Sequence, residues 1–81
     1  MTVDVRFFAS LADIAGTNRT SIELAEGSDV AALWSELVER WPALESRGPT
    51  PLVACDMEYS GWDTRLEGVR EVAFLPPVSG G

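Results

Sequence analysis

The sequence predicts an α+β domain of two layers, one sheet covered by one helix, and three stretches carry that prediction. Near the start, Val3, Val5 and Phe7 alternate with Asp4 and Arg6, the period of a half-buried strand. In the middle, Val30, Leu33, Trp34, Leu37, Val38 and Trp41 recur at i, i+3, i+4, i+7, i+8 and i+11, which lays a continuous apolar stripe along a helix. Near the end, Val72 and Phe74 alternate with Glu71 and Ala73, a further strand with one face inward. A chain of 81 residues holds one core of this kind, and with 46% apolar residues it can fill that core.

Taken in order, the first strand runs from Thr2 to Phe8. Phe8 follows Phe7 directly, so if Phe7 points inward Phe8 points to the opposite, nominally polar face. Residues Ala9 to Ala15 carry Leu11, Ile14 and Ala15 at helical spacing, opened by Ser10 and closed by Gly16. Thr20 to Ala25 alternates through Ile22 and Leu24, and Gly16-Thr17-Asn18 ahead of it supplies turn residues, so the two strands form a hairpin with a long, partly helical loop. The main helix spans Asp29 to Arg40, with Ser28 as N-cap, Asp29 in the first turn, Arg40 in the last and Pro42 as stop. Glu36 and Arg40 make an i, i+4 pair on its exposed side. Pro42 to Pro51 is a loop, punctuated by Gly48-Pro49-Thr50-Pro51. Leu52 to Cys55 reads as a short buried strand. Within the mixed stretch Asp56 to Leu66, Tyr59, Trp62 and Leu66 are expected to touch the core, with a turn at Ser60-Gly61. The last strand runs from Arg70 to Leu75, with Leu75 on its outer face.

Six basic and thirteen acidic residues give 6 − 13 = −7, which argues against nucleic acid or an anionic membrane as partner. A basic protein partner is the complement of the chain as a whole. All six cations are arginines, and histidine and lysine are absent. The side chains most easily tuned as bases near neutral pH are therefore missing, together with the usual zinc and Schiff-base chemistries. No metal site is expected, and side-chain catalysis is disfavoured. Cys55 is the single cysteine, so no intramolecular disulfide forms, which fits a reducing cytoplasm. It lies in an apolar run with no cation beside it and is expected to be buried and inert. No run approaches 18 apolar residues, and the start lacks the basic and apolar regions of a signal peptide. The glutamates Glu23, Glu26, Glu36, Glu39 and Glu45 read mostly as a solvated acidic face.

The chain divides into a folded part, 1–75, and an extended tail, 76–81. Pro76 and Pro77 cannot donate ladder hydrogen bonds, so sheet pairing stops while the backbone stays extended. Six residues at about 3.3 Å each reach roughly 20 Å, enough to enter a cleft of another protein. Gly80 and Gly81 carry no side chains and suit the narrowest part of such a channel. The Gly81 α-carboxyl, with an ordinary pKa of about 3.3–3.7, is ionised and inert at neutral pH. Joined to AMP as a mixed anhydride it gains a leaving group. A sulfur, amine or thiol nucleophile can then attack the carbonyl; if the attacker is a sulfide equivalent, the product is a terminal thiocarboxylate and the domain becomes a sulfur carrier.

Val5-Arg6-Phe7-Phe8-Ala9, then Leu11 and Ala15-Gly16-Thr17, and finally Glu71-Val72-Ala73-Phe74-Leu75-Pro76-Pro77-Val78-Ser79-Gly80-Gly81, resemble the small subunit of molybdopterin synthase, the MoaD family. Asp56 stands where that family often places Asn. The resemblance implies a ubiquitin-like β-grasp fold with a mixed sheet of four to five strands, in agreement with the element order above. It implies that a MoeB-type, E1-like enzyme adenylates Gly81 with ATP, the chain itself binding no cofactor. A MoaE-type large subunit, in a heterotetramer, would then use the thiocarboxylate to convert precursor Z to molybdopterin, consuming two per pterin. The partner-facing patch carries over to Phe8, Tyr59 and Leu75, with Pro76, Pro77, Val78 and Ser79 leading to the glycines.

Three other functions fit the same residues. One is a ThiS-like or other ubiquitin-like carrier serving thiamine, cysteine or tungsten-cofactor synthesis, although Phe74-Leu75-Pro76-Pro77-Val78 favours the molybdopterin pathway. Another is a protein modifier joined to lysines through Gly81. The last is a non-catalytic interaction domain with a chemically silent tail.

Overall fold

A computed structural model describes residues 1–45 and 50–77 of the chain. Its elements are β1 (Thr2–Phe7), α1 (Ser10–Ala15), β2 (Arg19–Glu23), α2 (Val30–Arg40), a 3-10 turn (Pro42–Leu44), β3 (Leu52–Cys55), β4 (Glu58–Tyr59) and β5 (Glu71–Leu75). The five strands form one mixed sheet in the order β2-β1-β5-β3-β4. β5 runs parallel to β1 and antiparallel to β3, so the last strand lies at the centre. This is the β-grasp arrangement.

The register explains how alternation becomes a core. Val3 pairs with Ile22, Val5 with Val72, Phe7 with Phe74, and Val53 with Phe74 from the other flank. All of these side chains are buried, together with Val30, Leu33 and Leu37 of α2. Trp34, Val38 and Trp41 complete the helical stripe but are only partly buried. Trp34 and Trp62 pack around Phe74, with ring centroids 4.9 and 5.8 Å from it. Leu66 is buried.

Local chemistry displaces several boundaries from those the sequence predicts. The N-cap of α2 is Asp29 and not Ser28: the Asp29 carboxylate accepts from the Ala32 N–H at 2.9 Å. Ser28 instead closes a turn, its hydroxyl donating to the Ala25 carbonyl, while its own carbonyl accepts from the Leu66 N–H. Asp29 forms an antiparallel bridge to Arg65. These contacts hold residues 28 and 29 extended, and the helix begins only at Val30. Leu52 to Cys55 is half-buried and not wholly buried, because α2 covers one face of the sheet and leaves Leu52 on the other. α1 ends at Gly16, whose φ of 73° supplies the left-handed cap.

The expected Ser60-Gly61 turn lies one step on, Gly61 opening a turn that closes with the Thr64 N–H on its carbonyl, and a second, unexpected tight turn lies at Asp56-Met57. Asp56 and Met57 have φ of 48° and 73°, as a two-residue type I′ hairpin loop requires. Asp56 tolerates that conformation because its side chain serves the backbone: Oδ1 accepts from the N–H groups of Arg70 and Glu71 at 3.1 and 3.0 Å. This ties the β3–β4 hairpin to the start of β5. Replacing Asp56 by Ala removes both hydrogen bonds and the tolerance for positive φ, so we expect a loss of about 2 kcal/mol in chemical denaturation. Asp56→Asn keeps an acceptor oxygen and a residue at home in this conformation, so it should lose less than half as much.

Candidate functional site

The face of the sheet opposite α2 is where the side chains left over from the core assemble. Strand pairing puts Arg6, Ala73, Ala54 and Tyr59 in one row across β1, β5, β3 and β4. Leu75 and Leu52 pair in the next row, toward the end where β5 leaves the sheet. Phe8 joins them there, its N–H donating to the Phe74 carbonyl. Ala9, immediately after, has φ 52° and ψ −126°, values that L-residues seldom adopt. It turns the chain sharply from β1 into α1, leaving the Phe8 ring on the outer face.

Phe8 and Tyr59 are 37% and 74% exposed, and with the half-buried Leu75 they wall a groove of about 240 Å³. The residues predicted at a partner-facing patch are thus brought together. Tyr59, also expected to touch the core, does not: it pairs with Ala54 and shares that residue's outward direction. Trp62 is partly buried against the core. Pro76 and Pro77 follow Leu75 and are half-buried. Val78, Ser79, Gly80 and Gly81 lie outside the described residues.

The groove has members that the sequence reading missed. Met57, 91% exposed at the hairpin tip, forms part of its wall. Leu52, 38% exposed, extends the apolar surface past Leu75. Leu52 was detectable by the logic that exposes Phe8, since it precedes the inward Val53. Met57 was not, because its direction depends on where the hairpin turns.

Polar groups on this face gather toward β2: the Thr2 and Ser21 hydroxyls donate to Glu23 and Asp4. The Arg6 guanidinium carbon sits 5.2 Å from the centroid of the Phe8 ring, within cation–π range. Arg19 Nη2 lies 3.6 Å from Glu71 Oε2. Cys55 is buried on the opposite side of the sheet. Among the described residues, no group of three His, Cys, Asp or Glu side chains could hold a metal ion, and no helix is long and apolar enough to cross a membrane. At the far edge, the Thr2 hydroxyl and then the Met1 ammonium hold the Glu23 carboxyl below the usual carboxylate range. An exposed apolar groove of this kind is equipped to dock a protein surface.

Residues 5–81 match the model of the ThiS family. The chain belongs to the ThiS family. As a ThiS-family domain it is 34% identical to the molybdopterin synthase sulfur carrier subunit of Chlamydomonas reinhardtii, with 100% of each chain covered. The subunit of that name from Caenorhabditis elegans is 31% identical, covering 100% of this domain and 99% of the relative. Among solved structures, SAMP1 from Haloferax volcanii superposes on the ThiS-family domain with a TM-score of 0.88 at 28% identity, each chain covered completely.

Proposed function

We propose that this ThiS-family domain is the sulfur-carrying small subunit of a molybdopterin synthase. The observation that carries the proposal is full-length likeness to sulfur carrier subunits of that enzyme, in a fold whose central strand leads out beside an apolar groove. The Gly81 carboxylate is the working group. One of its oxygens attacks the α-phosphorus of ATP on a MoeB-type, E1-like partner, and pyrophosphate leaves. A sulfide equivalent then attacks the acyl carbon and displaces AMP, giving the thiocarboxylate. A MoaE-type large subunit uses that sulfur to build the dithiolene on precursor Z.

Each part of the chain has a role in this scheme. Phe8, Tyr59 and Leu75 supply the docking surface, because apolar contact gives affinity without chemistry of its own. Pro76 and Pro77 stiffen the arm's root, Val78 and Ser79 extend it, and Gly80 admits Gly81 to a channel too narrow for a Cβ. The domain binds no cofactor, and ATP belongs to the activating partner. The cytoplasm is its compartment, with neither nucleic acid nor membrane as partner.

Intact mass spectrometry tests the scheme. Incubation with the activating enzyme, ATP and a sulfur source should raise the mass by about 16 Da, the difference between sulfur and oxygen, with the gain confined to the peptide that carries Gly81. Adding the large subunit and precursor Z should then discharge the sulfur and yield molybdopterin. No gain with competent partners would make this an interaction domain, and discharge to thiazole synthesis but not to precursor Z would place it in the thiamine pathway.

A further inference from the structure

Arg6 and Arg19 stand directly opposite each other in the β1–β2 register. Like charges in that position cost stability, and this pair uses two of the chain's six cations. Arg19 is partly compensated by Glu71. Among the described residues, Arg6 has no carboxylate within ion-pair distance; its guanidinium lies over the Phe8 ring, in the wall of the apolar groove. A chain of net charge −7 therefore keeps an unpaired cation on the surface proposed to dock. Aromatic packing orients a guanidinium while leaving its in-plane donors available for bidentate pairing with a carboxylate.

We infer that this face reads an acidic residue on its partner: Arg6, laid over Phe8 and reinforced by Arg19, pairs with an aspartate or glutamate presented beside the apolar side chain that fills the groove. The inference rests on the docking role proposed above and refines it. It also reverses, at this one spot, the expectation of a basic partner drawn from the total charge. The occupant is a protein surface with an apolar knob flanked by a carboxylate, the complement of a groove that is apolar at Leu75 and Tyr59 and cationic at Arg6, with the Glu71 carboxylate in its wall already engaged by Arg19.

The test is titration of the purified large subunit with the full chain and its variants at low and at physiological salt. Arg6→Ala should weaken binding about tenfold at low salt, with a smaller difference at higher salt, and Arg6→Glu about a hundredfold. Arg6→Lys should recover part of the loss, because charge is restored without the planar fork. Tyr59→Ala should weaken binding without changing its salt dependence. All four changes lie on an exposed surface, so equal thermal melts verify the fold. If the Arg6 variants bind as wild type while Tyr59→Ala is weakened, the carboxylate-reading role is wrong and the docking face stands. If Tyr59→Ala also binds as wild type, the docking role fails together with it.

Discussion

Removal of Gly81 abolishes sulfur delivery and leaves the melting temperature of the domain where it was. The reacting carbon of the proposed scheme is the Gly81 carbonyl, and no side chain can replace it: histidine and lysine are absent and the one thiol, Cys55, is buried. The shortened chain still ends in a carboxylate, that of Gly80, but one residue short of the activating site, by about 3.3 Å. Misplacement of that order is enough to cost catalysis a hundredfold or more. Stability is untouched because, among the described residues, the buried core ends at Phe74. Molybdopterin formation measured beside a thermal melt checks both halves. Retained sulfur transfer would remove Gly81 from the mechanism, and a large fall in melting temperature would mean that the arm belongs to the fold.

Phe74→Ala has the opposite profile, and we expect it to lower the unfolding free energy by about 3–5 kcal/mol. Phe74 is fully buried in the central strand, pairs with Phe7 on one side and Val53 on the other, and packs against Trp34 and Trp62. Truncation leaves a cavity that neither flanking strand can close without breaking register. Domains typically have only about 5–15 kcal/mol in total, so the variant should stand close to its unfolding threshold. Denaturant titration reads the loss directly. The neighbouring Leu75→Ala, on the outer face, should change stability little and weaken docking instead, because successive strand residues serve different faces. A loss below about 1 kcal/mol for Phe74→Ala would show that the core is not where the register puts it.

Much of this division was legible before any coordinates. The periods of Val3-Val5-Phe7 and of the Val30 to Trp41 stripe identify strand and helix because burial on one side imposes them. Phe8 and Leu75 were legible as members of the outer face because each breaks phase with an inward neighbour, and Tyr59 was placed there by family resemblance. What stayed hidden depends on distant chain. Ser28 looks like a better cap than its neighbour until residues 65 and 66 pair with residues 28 and 29. The Asp56-Met57 turn lacks the glycine that usually announces such a loop, and Asp56 takes it because its carboxylate binds N–H groups fourteen and fifteen residues away. Met57 joined the groove only once that turn was fixed. The parallel pairing of the first and last strands, which centres β5, has no local signature in either.

That central position has a mechanical consequence. A pull applied at Pro76 runs along β5, which is gripped by β1 on one flank and β3 on the other. The hydrogen bonds on both sides are loaded in shear and resist together, whereas a strand at the rim would peel away one bond at a time. A domain built this way bears load on its last strand without unzipping.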